Sequence, residues 1–190
     1  MILWLNGPFG GGKTTTAAEL DALLPEAVVF DPEKIGEVIA PTLGGIEPVP
    51  DFQDWRPWRE LVVAALTSLD RYTSRIVVAP QTVVVRQYWD EIMSGLAAAD
   101  VDVRAFTLDC TPAEHERRIA SDTLTTATLD EIKVDDGGVG WRRHRAADYR
   151  AALPWLAEHT EVIDTTLLRP TEVAKEISAR LGRPRRHSAP

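Results

Sequence analysis

The sequence predicts an α/β fold in which a five-stranded parallel sheet is covered by helices on both faces. Its short hydrophobic segments are apolar throughout rather than alternating, which is typical of strands buried on both sides. Segments with helical spacing of apolar residues lie between them, and strands that alternate with helices form parallel sheets. The 190 residues, 44% of them hydrophobic, suit one domain, which we place at residues 1–181.

Local signals define the elements of the first half. The run MILWL predicts the first strand, and the helix behind the following glycine run ends at Pro25. The run AVVF predicts a second strand, closed by an Asp-Pro pair that begins a short helix. Residues 41–57 are rich in proline and glycine, so we expect a mobile connection and an acceptor-side insert over 41–58. These signals give strands Ile2–Asn6 and Ala27–Phe30, and helices Lys13–Leu24, Pro32–Ile39 and Arg59–Tyr72.

The second half repeats the alternation. The runs RIVVA and VRAFTL predict buried strands, and Thr111 with Glu114 has the pattern of a capping box. Residues 123–140 are polar and end in DDGGVG, which predicts a lid, and we expect the tail 182–190 to be disordered. The expected strands are Arg75–Ala79, Val103–Leu108 and Glu161–Ile163, and the expected helices are Tyr88–Ala98, one from Thr111, Trp141–Glu158 and Pro170–Leu181.

Composition excludes several classes of protein. The net charge of −8 disfavours a nucleic-acid binder, although an acidic protein can still hold one nucleotide in a cationic pocket. The single cysteine, Cys110, excludes an internal disulfide and suits a reducing compartment. The apolar start Met1–Leu5 is too short for a membrane span or a signal peptide. The histidines have no metal-ligand spacing. We expect a cytoplasmic protein, monomer or homodimer, without a zinc site.

Residues 7–14, GPFGGGKT, match the P-loop pattern G-x-x-x-x-G-K-[ST], with a strand before and a helix after. Glycines let successive N–H groups converge on a phosphate, and the helix N-terminus adds partial positive charge. Lys13 is placed to reach the outer phosphates, and the Thr14 hydroxyl to bind Mg²⁺. A plain glycine turn is the alternative, which the flanking elements disfavour. The predicted nucleotide-binding residues of this loop are Gly7, Pro8, Phe9, Gly10, Gly11, Gly12, Lys13, Thr14 and Thr15.

Asp31 directly follows the second strand. Because ligands bind beyond the carboxyl ends of parallel strands, we expect it beside the P-loop, where it would accept a proton from an attacking hydroxyl. Two alternatives remain open: Asp31 caps the helix that begins at Pro32, or it contacts Mg²⁺ through water.

Arginines and aromatic residues are candidates for binding the transferred phosphoryl group and the acceptor molecule. Guanidinium groups suit the charge of a phosphoryl-transfer transition state, and arginines flank the predicted lid at 117, 118, 142, 143 and 145. The segment DFQDWRPWRE offers stacking and hydrogen bonding to an acceptor, with ordinary core packing as the alternative for its tryptophans. Gln81 and Thr82 follow the third strand at the crevice edge. The predicted acceptor-binding residues are Asp31, Phe52, Trp55, Trp58, Arg59, Gln81, Arg142 and Arg145.

The segments MILWLNGPFGGGKTTTAAEL, VVFDPEKIG and DFQDWRPWR together resemble the tunicamycin-resistance (TmrB-type) ATP-binding proteins, within the P-loop small-molecule kinases. The resemblance implies a three-layer P-loop kinase-like domain that uses ATP and Mg²⁺. It implies resistance to a nucleoside antibiotic of the tunicamycin type by phosphorylation of a hydroxyl, with Lys13, Asp31 and Arg118 as catalytic residues.

The resemblance also locates the adenine near Arg118 and Thr165. Arg118 matches the first arginine of the lid pattern R-x-x-x-R, but Asp122 occupies the second position, so Arg142 or Arg145 is the expected substitute. Two other functions stay open: a kinase of a metabolite or nucleotide, and an ATP-binding protein that sequesters the antibiotic without modifying it.

Overall fold

The computed structural model describes residues 1–121 and 139–182, with side chains for all of these except 139–143. Five parallel strands form one sheet, in the order β2-β3-β1-β4-β5. They are β1 (Ile2–Asn6), β2 (Ala27–Val29), β3 (Ile76–Pro80), β4 (Val103–Asp109) and β5 (Glu161–Asp164). Trp4 of the central strand lies beside Ala79 on one side and Ala105 on the other. The fold class predicted from sequence is therefore confirmed.

Helices cover both faces of this sheet. They are α1 (Lys13–Leu23), α2 (Glu33–Leu43), α3 (Arg56–Tyr72), α4 (Arg86–Ala98), α5 (Pro112–Ser121), α6 (Val139–His159) and α7 (Pro170–Leu181), with a 3₁₀ turn at Phe52–Asp54. In β1, Ile2 and Trp4 pack against α3 and α4, whereas Leu3 and Leu5 pack against α1 and α7. A strand buried on both faces needs apolar residues at every position, which explains the unbroken hydrophobic opening.

The structure differs from the sequence expectation mainly around residues 41–57. The helix α2 continues through Pro41 to Leu43 instead of ending at Ile39, and α3 begins at Arg56 with Pro57 in its first turn. Proline is tolerated there because the first N–H groups of a helix have no intrahelical acceptor. The irregular connection is thus shorter than predicted, and it contains the 3₁₀ turn.

Two predictions fall largely beyond the described ranges. The predicted lid, 123–140, lies outside them except for residues 139 and 140, which begin α6, and the predicted tail lies outside them from residue 183 onward. Among the described helices, none has both the length and the apolar character that crossing a bilayer requires.

Candidate active site

The loop between β1 and α1 has the backbone of an anion-binding cradle. Gly7, Gly10 and Gly12 have φ angles of 146°, 73° and 88°, which disfavour any residue with a Cβ. At Gly7 a Cβ would also lie 2.6 Å from the Leu108 carbonyl oxygen. The Thr16 amide donates to the Gly12 carbonyl oxygen at 2.8 Å, which is the first bond of the helix. The amides of 13–15 precede it in the first turn, where helix geometry provides no acceptor, so the loop fits a phosphate group.

Three buried side chains hold this loop in place. The Asn6 side-chain oxygen accepts from the Gly7 amide at 2.8 Å, and the Thr82 hydroxyl donates to the Gly7 carbonyl at 2.8 Å. His115 Nε2 lies 2.7 Å from the Phe9 carbonyl oxygen. Burial lowers the pKa of His115, which favours a neutral ring donating to that oxygen. Thr82 was a candidate for the acceptor site; its hydroxyl supports the loop, and contact with an acceptor stays a prediction.

Lys13 lies at the mouth of the cradle. Its ammonium donates to the Pro8 carbonyl at 2.9 Å and lies 5.4 Å from the centroid of the Phe9 ring. Burial lowers the pKa of Lys13 to about 8, although the nearby Glu33 carboxylate opposes this shift. The ammonium therefore lacks full compensation for its lost hydration, as expected of a group that meets phosphate. Thr14, the predicted Mg²⁺ ligand, is exposed.

A cavity of about 500 Å³ adjoins the loop on the side of α5, within the size range of small-molecule sites. Arg118 forms one wall: its guanidinium donates to the Thr165 carbonyl at 2.6 Å and to the Thr165 hydroxyl at 3.1 Å. It also donates to Glu114 at 2.8 Å. Bonds from Arg117 and Arg118 lower the pKa of Glu114 to about 2. The structure thus brings Arg118, Thr165 and the loop glycines together; adenine binding there stays a prediction.

Asp31 makes the hydrogen bond expected of a helix cap. One of its carboxylate oxygens accepts from the Glu33 amide at 3.0 Å. Glu33 itself, which sequence reasoning did not single out, is close enough to Asp31 and Lys13 to respond to both charges. Reduced hydration raises the pKa of Glu33, the Asp31 carboxylate raises it further, and Lys13 opposes the shift. Capping and proton acceptance are compatible, because a carboxylate has two oxygens.

A second acidic residue that sequence reasoning missed, Asp51, lies on the same side of the loop. Its carboxylate accepts from Arg145 Nη2 at 2.6 Å and from the Gln53 amide at 3.0 Å. The Arg145 guanidinium also lies 5.9 Å from the centroid of the Phe9 ring. Burial raises the pKa of Asp51, against the effect of the Gln53 hydrogen bond and of Arg145. Arg145 is therefore near Phe9 of the P-loop and is paired with Asp51; its predicted role in acceptor binding stays a prediction.

Three predicted acceptor residues turn inward instead. Trp58 is fully buried and its indole donates to the Pro32 carbonyl at 3.2 Å; Trp55 is 5% exposed and donates to the Glu47 carbonyl at 2.7 Å. Arg59 is likewise buried, bonded to the Gln53 carbonyl and paired with Glu91 at 2.6 Å. Because their polar groups are used inside the protein, the structure favours core packing, the alternative left open for the tryptophans, and a role of these three in acceptor binding stays a prediction.

The remaining candidates are Phe52, Gln81 and Arg142. Phe52 is half-buried, stacked on Trp55 with ring centroids 5.8 Å apart. Gln81 is 3% exposed, and its backbone amide donates to the Leu5 carbonyl at 3.0 Å. The side chain of Arg142 lies outside the described part of the chain. Across that part, no group of three or more His, Cys, Asp or Glu residues is arranged to hold a metal ion.

The known proteins that resemble this chain are found among solved structures. No protein-family model and no curated protein matches the chain. The tunicamycin resistance protein of Deinococcus radiodurans is 28% identical, with a TM-score of 0.67 and 96% of each chain covered. Shikimate kinase from Acinetobacter baumannii is 20% identical, with a TM-score of 0.63 over 95% of this chain and 92% of that one. A gluconokinase from Sinorhizobium meliloti is 15% identical, with a TM-score of 0.59 over 94% and 91%.

The two metabolite kinases are too distant in sequence to indicate more than the fold, whereas the similarity to the tunicamycin resistance protein extends to the sequence along almost the whole chain. The resemblance indicated by the sequence motifs is thereby confirmed: this chain has the fold of the P-loop small-molecule kinases and is similar to a tunicamycin resistance protein.

Proposed function

We propose that this protein is an ATP-dependent phosphotransferase that acts on a hydroxyl of a small molecule, a nucleoside antibiotic of the tunicamycin type. The observation that carries the proposal is the placement of Lys13. Its ammonium lies at the mouth of a phosphate cradle and within electrostatic range of Glu33, which is also close to Asp31. A cation for phosphate and a carboxylate for a hydroxyl proton are the two groups that phosphoryl transfer needs side by side.

The nucleotide is assigned to the α5 side of the loop. The amides of 13–15 would hold the phosphates, the Thr14 hydroxyl would bind Mg²⁺, and the cavity beside Arg118 and Thr165 would take the base. Bound ATP with Mg²⁺ supplies the phosphoryl group in an activated form. Lys13 offsets negative charge on the phosphates, and its lowered pKa would rise again when phosphate replaces its lost hydration.

The acceptor is assigned to the opposite side, where the carboxylates lie. A bond forms between the acceptor oxygen and the γ-phosphorus as the bond from that phosphorus to the oxygen of ADP breaks. The hydroxyl proton goes to Asp31. Asp31 is held in place by the Glu33 amide at 3.0 Å, so its carboxylate needs little reorganisation to receive a proton. This orientation is the contribution we assign to the cap.

The assignment of the acceptor class rests on the 28% identity to the tunicamycin resistance protein. The same similarity supports a second candidate, an ATP-binding protein that sequesters the antibiotic unmodified, because one pocket serves both purposes. The two differ in stoichiometry: a kinase protects catalytically, whereas a binder protects only one equivalent of drug.

Mass spectrometry separates these candidates. The protein is incubated with ATP, Mg²⁺ and tunicamycin, and the expected product is heavier by one phosphoryl group. The Lys13→Met variant serves as the inactive control, since it keeps an unbranched side chain only one atom shorter and removes the charge. If ATP binds but tunicamycin and a panel of related uridyl antibiotics stay unmodified, the kinase proposal fails. Protection that scales one to one with protein would then favour the binder.

A further inference from the structure

The ion pair between Asp51 and Arg145 joins two distant parts of the chain at the acceptor side of the P-loop. The two residues are 94 positions apart, and their charged atoms are 2.6 Å apart. Only 16% of the Arg145 side chain and 19% of the Asp51 side chain are exposed. A partly buried pair of this kind is screened less by salt than one on the surface. Its charges therefore act on a bound ligand even at physiological salt.

Asp51 and Arg145 each have further contacts that fix their orientation. Gln53 donates to Asp51 from its backbone amide at 3.0 Å and from its side chain at 3.3 Å. The same Gln53 side chain donates to the Thr82 carbonyl at 2.8 Å, next to the strand end that supports the P-loop. On the other side, Arg145 lies 3.5 Å from the Asp148 carboxylate and rests near the Phe9 ring. Neither charge has to be rearranged before a ligand arrives.

This arrangement decides which charges an acceptor meets. An arginine beside a P-loop is well suited to bind a carboxylate or phosphate of an acceptor, because its planar guanidinium matches those groups. Here Asp51 already engages that guanidinium, and Asp31 and Glu33 add negative charge nearby. An anionic acceptor would have to displace Asp51 from Arg145 and face the carboxylates, whereas an uncharged hydroxylated acceptor would do neither.

We propose that Asp51 is a specificity-determining residue, which restricts the acceptor to uncharged hydroxylated molecules by engaging Arg145. The inference rests on the proposed function for the location of the acceptor site. It goes beyond it by naming the charge of the acceptor and the residue that selects it. A purely structural pair would stabilise the fold without changing the ratio of affinities for neutral and anionic ligands.

The test compares uridine with uridine 5′-monophosphate, which differ by one anionic group, while a non-hydrolysable ATP analogue occupies the P-loop. Calorimetry gives both affinities. We expect the unaltered protein to bind uridine at least about tenfold more tightly than the monophosphate. The Asp51→Asn variant removes the carboxylate 2.6 Å from Arg145 and leaves Asp148 at 3.5 Å. It is expected to bind the monophosphate at least about tenfold more tightly than the unaltered protein does, since a charge-assisted bond to the ligand replaces the one to Asp51.

Two further variants keep the result interpretable. Asp51→Asn combined with Arg145→Gln should lose the gained affinity for the monophosphate. Glu161→Gln is the matched control, because it breaks a pair of the same 2.6 Å length, with Arg104, at the opposite end of the sheet. It should leave the ratio unchanged. If Asp51→Asn does not fold, Arg145→Gln alone should shift the ratio about tenfold further toward uridine.

The inference is overturned if the unaltered protein prefers the monophosphate, or if Asp51→Asn and Arg145→Gln leave the ratio unchanged. Because the measurement needs no turnover, its outcome is independent of whether tunicamycin is phosphorylated. Failure of the proposed function appears separately, as unmodified antibiotic in the presence of bound ATP.

Discussion

The two sides of the P-loop differ in the chemistry they present. Toward α5 the site offers backbone amides and the guanidinium of Arg118, which is braced against Thr165. Toward α2 it offers the carboxylates of Asp31 and Asp51, with the nearby arginine already paired. One side suits a polyanion and the other a hydroxyl, and Lys13 lies between them. The contrast is in the distribution of charge, and the proposed function assigns the nucleotide to the first side and the acceptor to the second.

The largest effect is expected from a substitution that impairs the acceptor side alone. Asp31→Asn should reduce kcat by about two to four orders of magnitude if Asp31 is the base. Asparagine caps helices as well as aspartate does, so the variant retains the cap and removes only the basic carboxylate. Glu33→Gln is the matched control and should cost less than about tenfold. Near-normal turnover in Asp31→Asn would leave Asp31 as a cap, and a large loss in Glu33→Gln would move the base to that residue.

The nucleotide side is tested by Arg118→Ala. Losing the two bonds to Thr165 should loosen the wall of the base cavity and raise KM for ATP by about ten- to a hundredfold, while KM for the acceptor stays within about twofold. Arg117→Ala is the comparison, since Arg117 borders the same cavity and binds the same Glu114 but is 68% exposed, so a smaller rise in KM for ATP is expected from it. Steady-state kinetics with each substrate varied in turn distinguishes the two sides. Equal changes in both KM values would contradict a division of the site.

A smaller effect on the acceptor side is expected from Gly36→Ala. Its Cβ would lie 2.0 Å from the Phe52 ring, so the 3₁₀ turn that carries Phe52 and borders Asp51 must shift. We expect KM for the acceptor to rise about tenfold and the free energy of unfolding to fall by about 1–3 kcal/mol. A Cβ at Gly45 meets no atom within 4 Å, so Gly45→Ala should change neither quantity. Denaturant unfolding and kinetics together check this.

The smallest expected effect is the pH dependence of the affinity for ATP, which arises from Lys13, between the two sides. Below pH 8 Lys13 is protonated with and without nucleotide, so the affinity for ATP should not depend on its titration. Above pH 8 the free protein loses the proton that the complex retains, and the affinity should fall by up to about tenfold per pH unit. Calorimetry in buffers of different ionisation enthalpy should show proton uptake on binding there. The dependence should vanish in Lys13→Met; a profile that stays flat up to pH 10 in the unaltered protein would contradict the assignment.

The part of the site that sequence predicts well is the part built from neighbours in the chain. The P-loop needs glycines, a lysine and a hydroxyl at fixed spacing, so residues 7–14 identify it directly, and the apolar strands identify the sheet around it. The contact between Arg118 and Thr165 spans 47 positions, and only the family resemblance suggested it.

The acceptor side was harder to predict because its contacts are long-range and its residue types are ambiguous. No local signal links Asp51 to Arg145, because the two residues are 94 positions apart in the sequence and the fold alone brings them together. Tryptophan and arginine in one segment suit a binding surface and a buried network equally well. Trp58 and Arg59 belong to the buried network because α3 turns them toward Pro32 and Glu91. Periodicity alone does not supply that orientation.

Thr82 has a consequence for how the two ligands influence one another. Its hydroxyl bonds to Gly7 of the loop, and its carbonyl accepts from Gln53, which holds Asp51. An acceptor that holds Asp51 in place therefore also steadies the support of the phosphate cradle, and a nucleotide that tightens the cradle steadies Asp51. Such thermodynamic linkage is reciprocal, so we expect each substrate to raise the affinity of the other by the same factor. Cooperativity between two adjacent pockets would then pass through a single threonine.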